Sequence, residues 1–164
     1  MDLISRARKV KLLLMDCDGV LTDGRLYFSP TGEALKVFHV RDGQGIAAWH
    51  DAGFQSGIIS GRGSEGIMNV RATELGIRFV KTGTNDKAGE LLEILAKTGI
   101  SPDEVAFIGD DTGDIEIMNM VGMPTAVADA VDGVKAAAVF VTKAKGGMGA
   151  VRELIDMLLD AKST

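Results

Sequence analysis

Short apolar runs rich in Val, Ile, Leu and Phe recur along the chain at 10–16, 54–60, 77–80, 105–109, 125–127 and 138–141. Runs this short, apolar at consecutive positions, predict strands buried on both faces, as in a parallel sheet. Between them, 44–52, 65–75, 87–98, 115–120, 131–136 and 149–161 read as helices. Ser101-Pro102-Asp103-Glu104 predicts a turn in which Pro sets φ. Alternation at this spacing predicts an α/β fold: one doubly wound, mostly parallel, Rossmann-like sheet in a single domain over 1–164.

One segment breaks the pattern. Strand-like runs at 25–29 and 33–40 flank Pro30-Thr31-Gly32, predicting a β-hairpin inserted at about 24–40, straight after the first strand. It is too small to form a lid domain, so whatever lies at that strand end stays open unless a loop, the tail or another subunit covers it. Met118, Met120 and Met123 read as core filler.

Composition narrows the function classes. A chain of 164 residues fits one domain with a sizeable core, and a net charge of −5 without a basic block argues against nucleic acid as partner. Cys17 is the only cysteine, so no internal disulfide forms and a reducing cytoplasm is expected. Arg6, Arg8, Lys9 and Lys11 lead into an apolar run too short for a signal core or a span, so no membrane is expected.

The chemistry concentrates at strand ends. Asp16-Cys17-Asp18-Gly19 closes the first apolar run, and Asp16 and Asp18 lie two apart, which puts them on one face of a continuing strand. Neither has a neighbouring Lys or Arg in sequence, so keeping both ionised there calls for a cation. Gly109-Asp110-Asp111-Thr112-Gly113-Asp114 closes the run at 105–109 in the same way. Parallel strands of one sheet end at one rim, so Asp110, and with it Asp114, can meet Asp16 and Asp18. Such a set suits a hard cation, and Mg²⁺ fits best because it takes few carboxylates and bridges to phosphate. One of Asp111 and Asp114 is expected to cap the following helix instead. At two other strand ends, Ser60-Gly61-Arg62 offers a hydroxyl and amides to anionic oxygens, and Lys87 opens a helix where it can neutralise carboxylates and phosphate.

Gly61-Arg62-Gly63-Ser64-Glu65-Gly66 matches the dinucleotide fingerprint. It is not in the first βα unit, and the next strand ends Val80-Lys81-Thr82 without the acid that holds a ribose, so the match is accidental.

Taken together, Asp16-x-Asp18-Gly19-Val20-Leu21-Thr22-Asp23, Ser60-Gly61-Arg62, Lys87 and Gly109-Asp110-Asp111-x-x-Asp114 resemble, in order, the four motifs of the haloacid dehalogenase superfamily. The hairpin in place of a cap, His39-Val40-Arg41-Asp42-Gly43, and the tail Gly146-Gly147-Met148-Gly149 are similar to the capless subfamily of 3-deoxy-manno-octulosonate 8-phosphate phosphatases. That resemblance implies Asp16 as nucleophile, Asp18 as acid and base, and Mg²⁺ held by Asp16, the main-chain carbonyl of Asp18 and Asp110. It further implies Ser60 and Lys87 on the phosphoryl oxygens, with Asp111, Asp114, Gly146 and Gly147 in support. The substrate would be a small sugar-acid phosphate met by Asp18, Lys87, His39, Val40, Arg41, Asp42, Gly43, Arg62 and Arg71. An arginine at Arg62 goes with the eight-carbon acid in related enzymes, an acidic residue with nine-carbon relatives. Family members are homotetramers whose hairpins meet at the centre, a neighbouring subunit closing each site.

Two non-enzymatic readings stand beside this one. A receiver-type phosphoacceptor domain also clusters aspartates, Mg²⁺ and a lysine on an α/β scaffold, but in a different order and without need of Asp18. A silent assembly domain, of the kind fused to sialic-acid-activating synthetases, would not keep every catalytic side chain.

Overall fold

Leu12–Met15 forms β1, with every residue buried, and the rest of the sheet is laid out around it. The computed structural model describes residues 1–163; of the span 1–164, Thr164 lies outside the described residues. The elements run α1 (Leu3–Lys9), β1, β2 (Tyr27–Ser29), β3 (Gly32–Leu35), α2 (Val40–Asp51), β4 (Gln55–Ile59), α3 (Glu65–Leu75), β5 (Phe79–Lys81) and α4 (Lys87–Thr98). After a 3-10 turn at Pro102–Glu104 come β6 (Val105–Gly109), a second at Thr112–Asp114, α5 (Ile115–Met118), β7 (Met123–Ala126), α6 (Asp132–Ala137), β8 (Phe140–Val141) and α7 (Ala150–Ser163).

Six strands make one sheet in the order β5-β4-β1-β6-β7-β8, and every pairing in it is parallel. Helices α1, α2 and α7 pack together, as do α4, α5 and α6, the two groups expected when right-handed crossovers run outward in opposite directions from the centre. β1 sits between β4 and β6, with Met15 opposite Ile58 and Ile108. The chain order reverses between β1 and β6, and a crevice opens there at the carboxyl ends. One continuous core of buried aliphatic side chains, with Trp49 and Phe107, fills both faces.

Three details differ from the sequence pattern. Residues 3–9 form a helix rather than the lead-in to a strand, because Asp2 caps it by accepting the N–H of Ser5 at 3.0 Å and Ala7 is buried. The hairpin is shorter than 25–40: β2 and β3 form a separate two-stranded sheet with a register shift at Tyr27/Phe28. Helix α2 starts at Val40, four residues ahead of the predicted 44, with His39 as cap accepting the N–H of Arg41 at 3.2 Å. Gly43 and Gly45 hide that start in the sequence, yet close packing requires them. A Cβ on Gly43 would lie 2.7 Å from Arg71 Nη2, and one on Gly45 2.9 Å from Arg152 Cδ.

Candidate active site

The carboxyl ends of β1, β4 and β6 and the first residue of α4 surround a cleft of about 390 Å³ lined by Asp16, Asp18, Ser60, Arg62, Lys87 and Asp110, among others. The turn after β1 is wound tightly. The Cys17 carbonyl accepts the N–H groups of Val20, Leu21 and Thr22 at 2.9–3.2 Å, and Thr22 Oγ1 accepts those of Gly19 and Gly24, both at 3.2 Å. Gly19 has φ +86° and lies against the Asp110 carboxyl, where a Cβ would meet Asp110 Cγ at 2.6 Å. Only glycine lets the two acidic strand ends approach this closely.

Asp16 is 8% exposed. Its Oδ1 accepts the N–H of Cys17 at 2.7 Å and lies 3.1 Å from Lys87 Nζ, which fixes the plane of the carboxylate. Burial, reinforced by Asp114 and opposed by Lys87, pushes Asp16 up to about 6. Asp110 is pushed to about 8 by burial, the charges of Asp16 and Asp114, and a hydrogen bond with Asp16. Oxygens of Asp16, Asp110 and Asp114 all lie within 4.8 Å of one another.

Asp114 is 1% exposed and fully engaged. Lys87 donates to its Oδ1 at 2.6 Å, and the N–H groups of Asp110 and Asp111 donate to its Oδ2 at 2.9 and 3.3 Å. Asp111 caps the short turn by accepting the N–H of Thr112 at 2.7 Å. Asp114 therefore braces, while Asp110 Oδ1 is buried without a hydrogen-bond partner. Buried carboxylates in contact, with an orphaned oxygen among them, fit a hard divalent cation held by Asp16 and Asp110.

Lys87 is buried at the first position of α4, where the helix dipole disfavours a cation. Burial lowers its pKa, but Asp16 and Asp114 outweigh that and raise it overall. Ser60 is 2% exposed, its N–H donating to Lys81 at 2.8 Å.

Asp18 faces a network that sequence reading did not find. Lys36 Nζ lies 2.6 Å from Asp18 Oδ1 and 2.8 Å from Glu33 Oε1. Arg62 stands 3.7 Å from Asp18 and 3.8 Å from Glu33, its guanidinium 5.8 Å from the Phe28 ring centre. Asp18 Oδ2 is buried without a hydrogen-bond partner. Burial first, then the charge of Asp18, pushes the Cys17 thiol well above its usual range, so it acts as packing.

Other expected residues lie elsewhere. Arg71 pairs with Glu74 at 2.8 Å and lies over the Phe38 ring at 5.4 Å, lining a separate groove with Leu35 and Lys36. His39, Val40, Arg41, Asp42 and Gly43 form the cap and first turn of α2. Asp42 is 1% exposed and accepts the N–H of Arg152 at 2.9 Å; burial raises its pKa against that bond. Gly146 and Gly147 pack on this chain's own 19–23 loop, Gly147 N–H donating to Val20 at 2.9 Å, and a Cβ on Gly146 would strike the Gly19 carbonyl.

The sequence profile of haloacid dehalogenase-like hydrolases matches residues 58–155. The 3-deoxy-D-manno-octulosonate 8-phosphate phosphatase KdsC of Yersinia pestis is 43% identical over 161 residues, 98% of this chain and 86% of that protein. The crystal structure of the Yersinia pestis phosphatase superposes with a TM-score of 0.96 at 42% identity, covering 99% of this chain and 87% of the other. That of the Moraxella catarrhalis phosphatase, in complex with a magnesium ion, a phosphate ion and a KDO molecule, superposes with a TM-score of 0.94 at 35% identity, covering 98% and 91%. The chain thus belongs to the haloacid dehalogenase-like hydrolases, in the family of the 3-deoxy-D-manno-octulosonate 8-phosphate phosphatases.

Proposed function

We propose that this protein hydrolyses 3-deoxy-D-manno-octulosonate 8-phosphate to KDO and phosphate with Mg²⁺ as cofactor. The observation that carries this is the meeting of Asp16, Asp18, Ser60, Lys87 and Asp110 in one cleft, in a chain of this family. Mg²⁺, held by Asp16, Asp110 and the main-chain carbonyl of Asp18, would neutralise phosphate charge and align it for in-line attack.

The remaining chemistry falls to side chains. A carboxylate oxygen of Asp16 forms a bond to phosphorus while the bond from phosphorus to the sugar oxygen breaks, giving an aspartyl-phosphate. The leaving oxygen keeps the electron pair and takes a proton from Asp18. Water then attacks phosphorus, returns a proton to Asp18 and releases Asp16 with inorganic phosphate. Lys87, already oriented by Asp114, and Ser60 hold the phosphoryl oxygens, so charge stabilisation is in place before reaction. Arg62, 42% exposed at the mouth of the cleft, is placed for the substrate carboxylate.

The proposed assembly is a homotetramer joined through the hairpins, a neighbouring subunit closing each site; His39, Val40, Arg41, Asp42, Gly43 and Arg71, which lie outside the cleft lined by this chain, are proposed to serve substrate selection. Phe28, Leu35, Val37 and Val40, all exposed on and after the hairpin, support this reading. A cytoplasmic setting agrees with a single, buried cysteine, and among the described residues no helix is long and apolar enough to cross a membrane.

Phosphate release from a panel of sugar-acid and simple sugar phosphates, with and without chelator, tests the function. Mg²⁺-dependent release strongest on the eight-carbon acid is expected. No release from any of them, or full activity in Asp16→Asn, would refute it.

A further inference from the structure

Lys36 is a hairpin residue by sequence and an active-site residue by contact. It follows β3 directly, yet its side chain is 2% exposed. A lysine so deeply buried is rare unless its charge is paired, and here the ammonium bridges Asp18 and Glu33. Glu33 is itself held from the far side, where its Oε2 accepts the hydroxyl of Ser64 at the start of α3. A continuous polar chain thus runs Ser64, Glu33, Lys36, Asp18, joining the entry of α3 to the hairpin and the hairpin to the cleft.

Its end point matters most. Among the described residues, Lys36 is the hydrogen-bond donor to the Asp18 carboxyl, and it takes Oδ1 only. Oδ2 has no hydrogen-bond partner and lies 3.7 Å from Nε of Arg62, another residue lining the cleft. An aspartate on a loop can otherwise change its χ1 rotamer and turn its carboxyl broadly about χ2, and proton transfer needs the acid within hydrogen-bond reach of the leaving oxygen.

We infer that Lys36 is a positioning residue that holds Asp18 by one oxygen and presents the other to the leaving group. This rests on the phosphatase function proposed above. The hairpin then has a role inside its own chain: its placement sets the geometry of the acid that protonates the sugar oxygen.

Leaving groups of different basicity separate positioning from mere structural support. A sugar alkoxide needs the proton of Asp18, whereas p-nitrophenolate leaves without one, and kcat/KM covers only the steps up to phosphoenzyme formation. Lys36→Met is expected to lower kcat/KM for 3-deoxy-D-manno-octulosonate 8-phosphate roughly 10-fold or more, a part of the 10²–10⁴ that a general acid supplies. For p-nitrophenyl phosphate it should stay within about threefold of wild type, because no acid is needed there. Equal losses on both substrates, or no loss on either, would overturn the inference. If Lys36→Met does not fold, Glu33→Gln, which frees one anchor of Lys36 and keeps its charge, should give the same selective loss in smaller measure. Failure of the underlying function is read on wild type: no Mg²⁺-dependent release from the sugar phosphate removes that function and this inference with it.

Discussion

Asp114 holds the ammonium of Lys87 at 2.6 Å with one carboxylate oxygen and the main-chain N–H of Asp110 at 2.9 Å with the other. The first residue of α4 and the turn after β6 are thereby locked together. Asp114→Ala cuts both links and leaves Lys87 buried with Asp16 alone. Breaking a buried ion pair by removing one partner costs about 3–5 kcal/mol, and the low end is expected because Asp16 remains. Urea unfolding in excess Mg²⁺ measures this; an unchanged unfolding free energy would show that Asp114 is not the brace.

Gly19 sets how closely the two acidic strand ends approach. Its φ of +86° disfavours any L side chain, and a Cβ would overlap the Asp110 carboxyl. Gly19→Ala therefore displaces Asp110 or the turn itself, costing of the order of 1–3 kcal/mol for the strained backbone. The apparent affinity for Mg²⁺ in an activity titration should weaken at least roughly 10-fold, as when a metal ligand loses its support. A wild-type Mg²⁺ titration would count against the placement of Asp110.

The reaction was legible in the sequence because Asp16, Ser60 and Asp110 each follow a buried strand, and parallel strands place those ends on one rim. Lys36 was not, since no spacing rule connects a hairpin residue to a carboxylate 18 positions away. α1 was hidden because a helix of 7 residues shows too little periodicity. The start of α2 was hidden for a different reason. Gly43 and Gly45 weaken helix propensity, yet they are there to admit Arg71 and Arg152. That boundary makes His39 the cap and Val40–Gly43 the first turn of a helix.

The hairpin carries a second expectation, about assembly. Leu35, 45% exposed, ends β3 and Val37, 52% exposed, follows it, apolar positions on and just after a small sheet of two strands that buries little by itself. Leu35→Glu should shift the protein from the tetramer towards smaller species in sedimentation velocity, with little loss of far-UV signal. A wild-type protein that sediments as a monomer at full activity would rule out the tetramer.

The strongest pH dependence should come from the acidic pair. Burial and the charge of Asp114 push Asp16 to about 6, and burial with the charges of Asp16 and Asp114 pushes Asp110 to about 8, from an ordinary 3.8. Both values are raised on folding, so without metal the folded state binds more protons than the unfolded one. That contribution to stability is complete below the unfolded value and is lost as pH rises through about 6 and then about 8. His50 adds an opposite slope, because burial lowers its pKa and stability gained from a neutral histidine grows with pH. That slope is common to samples with and without Mg²⁺ and cancels in their difference. A divalent cation replaces the protons, so its binding tightens with pH. The gap in Tm between Mg²⁺-loaded and chelated protein should therefore widen steadily between about pH 5 and pH 8.5, and Asp110→Asn should flatten it. A gap independent of pH in the wild type would mean that the buried carboxylates do not hold the metal.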